Sequence, residues 1–324
     1  MPETRAWAFP AHLQPTPEAL RFDLDDALAS MVMLRAQVPD DAFTAGLLGT
    51  ERHGNGVVIR DDGLVLTIGY LIVEAESVWL TTQDGTVMAA HPLAYDFATG
   101  FGLLLPLNRG RWPALERAPA ATAGIGDELV VLSHGGREHA LKTMLVAKRE
   151  FAGYWEYVLD EALFTAPPHP HWSGAALLNA AGRLIGTGSL LVQEAVAGDS
   201  VQGNMFVPMD PLEPILDDLM RRGSSSRPAR PWLGMYIGED DGRLLVVGLV
   251  EGGPAERAGV RLGDIVLELA GARIAGLANL FRSVWKQGPA GSPIPITLVR
   301  DASLLRLVIE SADRNDYLRK PRLQ

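Results

Sequence analysis

Short runs of alternating apolar and polar residues, separated by tight turns, fill most of the chain. Residues 57–59 and 64–67 flank the turn Asp61-Asp62-Gly63, and residues 78–81 and 87–89 flank Asp84-Gly85. Aspartate–glycine between alternating runs is a strong signal for a β-hairpin. Further short apolar runs continue this spacing; they cover residues 101–105, 128–132, 140–149, 155–159, 176–178 and 184–192. Many short strands at regular spacing predict antiparallel barrels or sandwiches.

Helical spacing is confined to a few segments. Residues 25–38 predict a short helix that runs into a strand, and residues 211–222 predict a helix with one apolar face. Before them, residues 1–24 are rich in proline and predict an irregular N-terminal segment. The Gly/Ser/Pro-rich residues 223–231 predict a linker. A first domain is therefore expected over residues 25–222, a second over 232–312, and a polar tail over 313–324.

Composition narrows the functional classes. The chain has 324 residues, enough for two or three cores, and its net charge of −10 argues against a nucleic-acid-binding surface. Cysteine is absent, which excludes disulfides, thiol nucleophiles and cysteine-ligated metals. The N-terminal residues resemble no secretory signal, and no apolar run approaches the ~20 residues of a membrane span. We therefore expect a cytoplasmic protein, with a trimmed secreted form as the alternative.

One stretch suggests hydrolase chemistry. Ser173 lies in a turn of small residues, between Trp172 and Gly174, ahead of the apolar run 175–178. Small neighbours leave a serine hydroxyl accessible, and nearby N–H groups can face a developing oxyanion. A serine in a plain hairpin turn would look the same. The deciding question is whether the chain supplies a base that activates Ser173.

Taken together, these segments resemble the HtrA/DegP family. The resemblance rests on residues 54–67, on the Ser173 segment and on residues 205–208 with the helix that follows. It covers nearly the whole chain from Asp25 onward. It implies a mainly β fold, in which a trypsin-like double antiparallel β-barrel is followed by an α+β PDZ domain.

The catalytic positions depart from the family pattern. Tyr70 stands where the family has its catalytic histidine, and Gly100 where it has its catalytic aspartate. His171 replaces the glycine that shapes the oxyanion hole, so only Ser173 is retained. Tyrosine has an ordinary pKa of about 10 and is a poor base at neutral pH. Loss of the serine or histidine alone costs about 10⁶ in turnover in such a triad. The resemblance therefore implies a pseudoprotease.

Other histidines offer two alternatives. His171 is the sharpest candidate for a substitute base, because residues two apart in an extended stretch can face the same way. His134, His169 and His171 are a weak candidate metal cluster, since no carboxylate accompanies them. The expectation is a surface histidine at 171, with no metal and no cofactor.

The C-terminal segment carries the most specific match. Residues 253–266 are close to a full PDZ signature, and residues 232–237 resemble the carboxylate-binding loop and groove strand of that domain. The resemblance implies that N–H groups at residues 233–235 cap a peptide carboxylate and that the strand from Met235 pairs with the peptide. The helix 277–287 would form the other wall. The candidate peptide-binding residues are Trp232, Leu233, Gly234, Met235, Ile237, Leu277, Leu280, Phe281 and Val284.

The sequence thus predicts an HtrA-like pseudoprotease, not an enzyme, that binds C-terminal or extended peptides as a scaffold, adaptor or holdase. An endopeptidase that uses Ser173 with a non-standard base remains open, as does a structural assembly protein with an unused groove. Family members commonly form trimers through their N-terminal segment, so Trp7, Phe9 and Phe22 are candidate contacts. A homotrimer or an assembly with an active relative is expected, and neither nucleic acid nor membrane is an expected partner.

Overall fold

The computed structural model describes residues 7–108 and 110–319. The chain divides into two compact units: Glu150–Asp160 and Ser226–Leu318 form one, and the remaining residues form the other. The predicted fold class is confirmed, since the chain is mainly β, with a trypsin-like barrel unit followed by a PDZ domain.

The first barrel closes with the strand order β1-β2-β3-β6-β5-β4. A short helix precedes it because the Asp23 side chain accepts hydrogen bonds from two of the free N–H groups in the first turn, those of Asp25 and Asp26. Large apolar side chains with no exposed surface, among them Leu66 and Leu103, fill the barrel. Its elements are α1 Leu24–Ala29, β1 Met31–Gln37, α2 Ala45–Leu48, β2 Glu51–Val58, β3 Val65–Ile68, β4 Ser77–Thr81, β5 Val87–Tyr95 and β6 Phe101–Pro106.

The second barrel closes with the strand order β10-β11-β12-β9-β8-β7. Its core includes the buried side chains of Val131, Leu163, Ile185 and Phe206. The strands are β7 Glu128–Leu132, β8 Leu141–Gly153, β9 Tyr157–Ala166, β10 Ala176–Leu178, β11 Leu184–Val192 and β12 Gly203–Pro208. β8 and β9 are long, and the hairpin tip between them belongs to the other compact unit.

The helix expected over residues 211–222 is shorter than predicted. α3 spans Leu216–Arg222, and turns occupy residues 209–215. Pro211 and Pro214 have no N–H to donate, so the regular hydrogen-bond ladder begins only after them. Gly223 ends the helix with φ +71°.

The C-terminal unit is one antiparallel sheet with two helices. The strand order is β13-β14-β15-β17-β18, and β16 pairs with β15. Its core contains Leu233, Ile237, Leu280 and Phe281. The elements are β13 Met235–Asp240, β14 Arg243–Leu249, α4 Pro254–Arg257, β15 Ile265–Leu269, β16 Ala272–Arg273, α5 Leu277–Trp285, β17 Pro293–Arg300 and β18 Ser303–Glu310.

The two ends of the chain contain short helical turns. The N-terminal segment has 3₁₀ turns at Ala11–Leu13 and Pro17–Ala19. The predicted tail begins with a 3₁₀ turn at Arg314–Tyr317, where the Tyr317 ring packs edge-on against Trp232 with centroids 4.8 Å apart. Residues 1–6 and 320–324, which belong to these two predicted segments, lie outside the described residues.

Candidate functional site

Ser173 lies in a tight turn that is anchored to the first barrel. The Ser173 carbonyl accepts hydrogen bonds from the backbone N–H of Asn55 (2.8 Å) and from its side-chain amide (3.1 Å). The same amide donates to the carbonyl of His171 at 2.9 Å. Gly174 has φ +72°, and a β-carbon there would lie 1.9 Å from the Asn55 carbonyl oxygen. The turn is therefore built for a glycine and a close backbone approach.

Tyr70 is the side chain that contacts the Ser173 hydroxyl. It follows β3 in a 3₁₀ turn, Gly69–Leu71, and its carbonyl accepts a hydrogen bond from the buried Arg52 guanidinium at 2.7 Å. The Tyr70 hydroxyl oxygen lies 2.8 Å from Ser173 Oγ and 2.8 Å from the Ser189 carbonyl oxygen.

The proton count fixes the direction of these two bonds. A carbonyl only accepts, so the single Tyr70 proton is donated to Ser189, and Ser173 donates its proton to the Tyr70 oxygen. Burial raises the pKa of Tyr70 to about 12, although hydrogen bonds from Ser173 and Trp172 act in the opposite direction. The partner of the serine proton is therefore a neutral phenol at any physiological pH.

Position 100 presents no side chain to the site. Gly100 has φ +82°, its N–H donates to the Asp96 carbonyl at 2.7 Å, and its carbonyl accepts from Gly69 at 2.7 Å. The nearby Asp96 carboxylate is held within its own turn by the N–H (2.8 Å) and hydroxyl (2.6 Å) of Thr99. This turn closes on itself and leaves no carboxylate to orient a base.

The N–H at position 171 is directed into the protein. It donates to Nδ1 of His169 at 2.9 Å, and Nε2 of His169 lies 2.8 Å from the His139 carbonyl oxygen. Because Nδ1 accepts, the ring carries its proton on Nε2. His169 is fully buried, and this burial lowers its pKa to about 4. Neutral His169 thus takes up the backbone N–H two residues before Ser173.

His171, the candidate substitute base, and His134, a member of the candidate metal cluster, have other partners. The exposed His171 ring stacks on Trp7 with centroids 5.0 Å apart, and its pKa is lowered by partial burial. Nε2 of His134 lies 3.2 Å from the carbonyl oxygen of Thr82. Within residues 7–108 and 110–319, no imidazole nitrogen is hydrogen-bonded to Ser173 Oγ, and no group of three His, Asp or Glu side chains is arranged to hold a metal ion.

The N-terminal aromatic residues pack on their own chain. Trp7 stacks on His139 with centroids 4.4 Å apart, and Phe9 meets His169 edge-on at 5.1 Å. Phe22 covers Gly182, where a β-carbon would lie 2.4 Å from the phenylalanine ring. These three residues therefore have intrachain packing, while Trp7 keeps about a third of its surface exposed. Their role in assembly remains a prediction.

The loop before β13 gathers three backbone N–H groups on one carboxylate, and that carboxylate belongs to Glu156. Its Oε1 accepts from Leu233 (3.1 Å), Gly234 (2.9 Å) and Met235 (3.4 Å). Gly234 has φ +71°, which turns these groups toward a common point. Burial raises the pKa of Glu156 to about 7, although the loop N–H groups and the charge of Arg314 favour the anion.

The other candidate peptide-binding residues are mostly buried. Leu233 lies in the loop, Met235 and Ile237 lie on β13, and all three are buried. Beside them, Trp232 is also buried and forms a β-bridge with Ala312. On α5, Leu280, Phe281 and Val284 are fully buried in the domain core, and Leu277 is partly exposed. Leu280, Phe281 and Val284 therefore pack into the core beneath the predicted groove. Their contact with a peptide remains a prediction.

The sequence did not indicate that Glu156 contacts the loop at residues 233–235, or that His169 contacts the backbone just before Ser173. The one signal for Glu156 is compositional, because four aromatic residues surround it where a hairpin tip is expected to be polar: Phe151, Tyr154, Trp155 and Tyr157. The sequence indicates His169 only as a member of a weak candidate metal cluster. Nothing in the spacing indicated that its ring accepts the N–H of His171.

Comparison with known proteins gives the same architecture. Residues 54–186 match the trypsin-like peptidase domain and residues 231–310 match the PDZ domain. The chain is 26% identical to the putative serine protease HhoA of Synechocystis, over 80% of this chain and 70% of the relative. It is 23% identical to the serine endoprotease DegS of Haemophilus influenzae, over 79% of this chain and 76% of DegS.

A third relative is the probable periplasmic serine endoprotease DegP-like of Halomonas elongata. The identity is 22% over 81% of this chain, which spans only 57% of that protein. The cytoplasmic location expected from the sequence is not supported, since several relatives are named as periplasmic. Between residues 7 and 319, leaving aside position 109, no helix is long and apolar enough to cross a membrane.

Solved structures agree on the fold. The HtrA-type protease AlgW with tripeptide has a TM-score of 0.53 at 18% identity, covering 93% of this chain and 98% of AlgW. The serine endoprotease from Yersinia pestis has a TM-score of 0.54 at 21% identity, covering 90% of this chain and 98% of that one. The chain thus has a trypsin-like peptidase domain followed by a C-terminal PDZ domain, and over most of its length it is similar to HtrA-type and DegP-like serine proteases.

Proposed function

We propose that this HtrA/DegP-like protein is a pseudoprotease that acts by binding peptide segments through its PDZ domain, as a scaffold, adaptor or holdase. The observation that carries the proposal is the hydrogen bond between Ser173 and Tyr70, 2.8 Å between oxygens, at the place where a base is required. The architecture and the relatives' names are compatible with both an active and an inactive protein. The choice between the two therefore rests on the chemistry of the contact between Ser173 and Tyr70.

A serine needs a general base whose pKa lies near the working pH. Tyr70 cannot meet this requirement, because its pKa of about 12 keeps the phenol protonated. Its oxygen accepts the serine proton in a hydrogen bond, and its own proton is already committed to Ser189. Uptake of a second proton would produce a phenol cation, which is not accessible in water. Ser173 is therefore held as an alcohol.

Two further contacts act in the same direction. An oxyanion is stabilised by donors that are already aimed at it, and removing one donor costs about 10²–10³ in rate. Here the N–H of His171 is donated to His169 instead. The turn at Gly100 supplies no carboxylate to orient an imidazole, even if one approached Ser173. The general base, the group that would orient it and one oxyanion donor are therefore each lost for a separate reason.

The PDZ domain keeps the parts that peptide recognition needs. Its loop directs the N–H groups of residues 233–235 at one carboxylate, which is the arrangement that captures a peptide C-terminus. AlgW, which shares the fold, is described with a bound tripeptide. We therefore propose C-terminal or extended peptides as the ligands, with a homotrimer or an assembly with an active relative as the setting.

Two alternatives lead to different measurements. The relatives are named as serine proteases, so an endopeptidase with an unorthodox base is the first alternative, and labelling of Ser173 tests it (Discussion). The second is a structural assembly protein with an unused groove, which peptide capture tests.

Capture of peptides from a library of decamers with free C-termini is expected for the full chain, and amidation of the C-terminus should abolish it. Gly234→Ala should lower the affinity of an enriched peptide at least about tenfold, because a β-carbon at φ +71° disturbs the three N–H groups. Gly271→Ala is the matched control, with φ +78° and open space around it. Equal binding by both variants, or capture of no peptide, would remove the peptide-binding proposal.

A further inference from the structure

The hairpin tip between β8 and β9 lies in the groove that the PDZ domain would offer to a peptide. Residues Glu150–Asp160 form one compact unit with Ser226–Leu318. We propose that this tip is an internal ligand of the groove, so that a peptide with a free C-terminal carboxylate binds only by displacing Glu156. The inference rests on the proposed peptide-binding function and adds its regulation.

The carboxylate of Glu156 stands in for a peptide terminus. Its two oxygens both lie 3.1 Å from the Leu233 nitrogen, and Oε1 lies 2.9 Å from the Gly234 nitrogen. Glu156 itself has φ +62°, in the left-handed region that is uncommon for non-glycine residues, at the last position of the hairpin turn.

The backbone of the tip also behaves as an added strand. The N–H of Ile237 in β13 donates to the carbonyl of Tyr154 at 3.1 Å, two residues before Glu156. A peptide that adds to a PDZ sheet likewise combines a main-chain bond to the groove strand with capture of its terminal carboxylate. Residues 154–156 thus reproduce both contacts, and the ring of Tyr154 meets Tyr236 edge-on with centroids 5.9 Å apart.

Side chains anchor the tip on both walls of the groove. Val158 is buried in the same apolar core as Leu233 and Leu280. Arg282 of α5 pairs with Glu150 and, at 2.5 Å, with Asp160. Arg314 donates to the carbonyl of Trp155 at 3.2 Å. A chance contact at a hairpin tip would not combine an apolar anchor, two ion pairs and a capped carboxylate.

The closed arrangement is nevertheless open to competition. A tethered segment has an effective concentration on the order of millimolar, which excludes weak ligands but not tight ones. The ion pairs of Arg282 are solvent-exposed, and such pairs contribute little. Burial also disfavours the charged form of Glu156, which raises its pKa to about 7. A peptide that brings its own carboxylate and apolar side chain can therefore replace the tip.

Two measurements on the full-length protein test this inference. The first is amide hydrogen exchange at Leu233, Gly234 and Ile237 without peptide, in wild type and Glu156→Ala. The second is the affinity of the hexapeptide Phe-Ala-Gly-Tyr-Trp-Val, which copies residues 151–155 and ends in a free carboxylate, with its C-terminal amide as a negative control. Glu161→Ala, an exposed glutamate just beyond the tip, is the matched variant, and Glu156→Gln keeps an acceptor oxygen.

We expect Glu156→Ala to exchange these amides at least about tenfold faster and to bind the hexapeptide at least about tenfold more tightly, because apparent affinity scales with the fraction of open groove. Glu156→Gln should lie between it and wild type, and Glu161→Ala should match wild type. Unchanged exchange together with equal peptide affinity would overturn the inference and leave the proposed function intact. Faster exchange with no peptide binding in any variant would support the closed groove and refute the proposed function. Unchanged exchange with no binding would overturn both.

Discussion

Replacing Gly174 by alanine is expected to lower the free energy of unfolding of the trypsin-like unit by about 4 kcal/mol or more. The conformation at φ +72° accounts for about 1–2 kcal/mol of this loss. The larger share is steric, because the new β-carbon would lie 1.9 Å from the Asn55 carbonyl oxygen and 2.7 Å from Thr67 Oγ1. Both atoms are held in the barrel wall, where the Thr67 hydroxyl donates to that carbonyl at 2.7 Å.

The matched control is Gly198→Ala. Gly198 has φ +75°, and no atom lies within 4 Å of the position that its β-carbon would take. It should therefore show the conformational cost alone, about 1–2 kcal/mol. Denaturant unfolding of both variants, followed by the same barrel signal, separates the two contributions. Similar losses in the two variants would show that the Ser173 turn is not held tightly against Asn55.

Lowering the pH from about 6.5 to about 4 is expected to remove about 3 kcal/mol of stability through His169 alone. The folded protein keeps this imidazole neutral because it is buried, with a pKa of about 4, whereas the unfolded chain takes up the proton near pH 6.5. Between these two values the unfolded state binds more protons, so stability falls as the pH falls. Well below pH 4, where the imidazole is protonated in both states, the contribution of His169 no longer changes.

His169→Gln should flatten this pH dependence, because glutamine can accept the His171 N–H but cannot be protonated. A smaller slope should remain from His171, whose pKa burial also lowers. His91→Gln, the same substitution at an exposed histidine on β5, is the matched comparison. An unchanged slope in His169→Gln would contradict the assignment of a buried, neutral acceptor at position 169.

Local chain signals predicted the architecture well, because hairpins and barrels are encoded by neighbouring residues. The turn at Asp84-Gly85 joins β4 and β5, and the Gly/Ser-rich run after α3 precedes the PDZ domain. Helix length was harder to predict, since the apolar face of residues 212–219 disguised the effect of Pro211 and Pro214. Periodicity alone does not show where backbone N–H groups are missing.

The candidate sites were predictable only in part. Motif order pointed to Tyr70 and Ser173 together, and the structure brings their hydroxyls to 2.8 Å. The order of the motifs gave no means of finding the contact between Glu156 and Leu233, which are 77 residues apart in the chain. A contact of that kind depends on where a hairpin tip ends in space. The strands of this hairpin were predictable from the sequence, but the residues that its tip contacts were not.

Reaction of Ser173 with a fluorophosphonate probe tests the central claim most directly. The wild-type protein, followed by intact mass at pH 8, is expected to label at the rate of its own Ser173→Ala variant, because the neutral Tyr70 phenol cannot remove the proton from the serine hydroxyl. Tyr70→Phe should label no differently, since it removes a hydrogen bond and not a base. Rapid labelling of the wild type that Ser173→Ala abolishes would contradict the pseudoprotease account, and loss of that labelling in Tyr70→Phe would identify Tyr70 as the activating group.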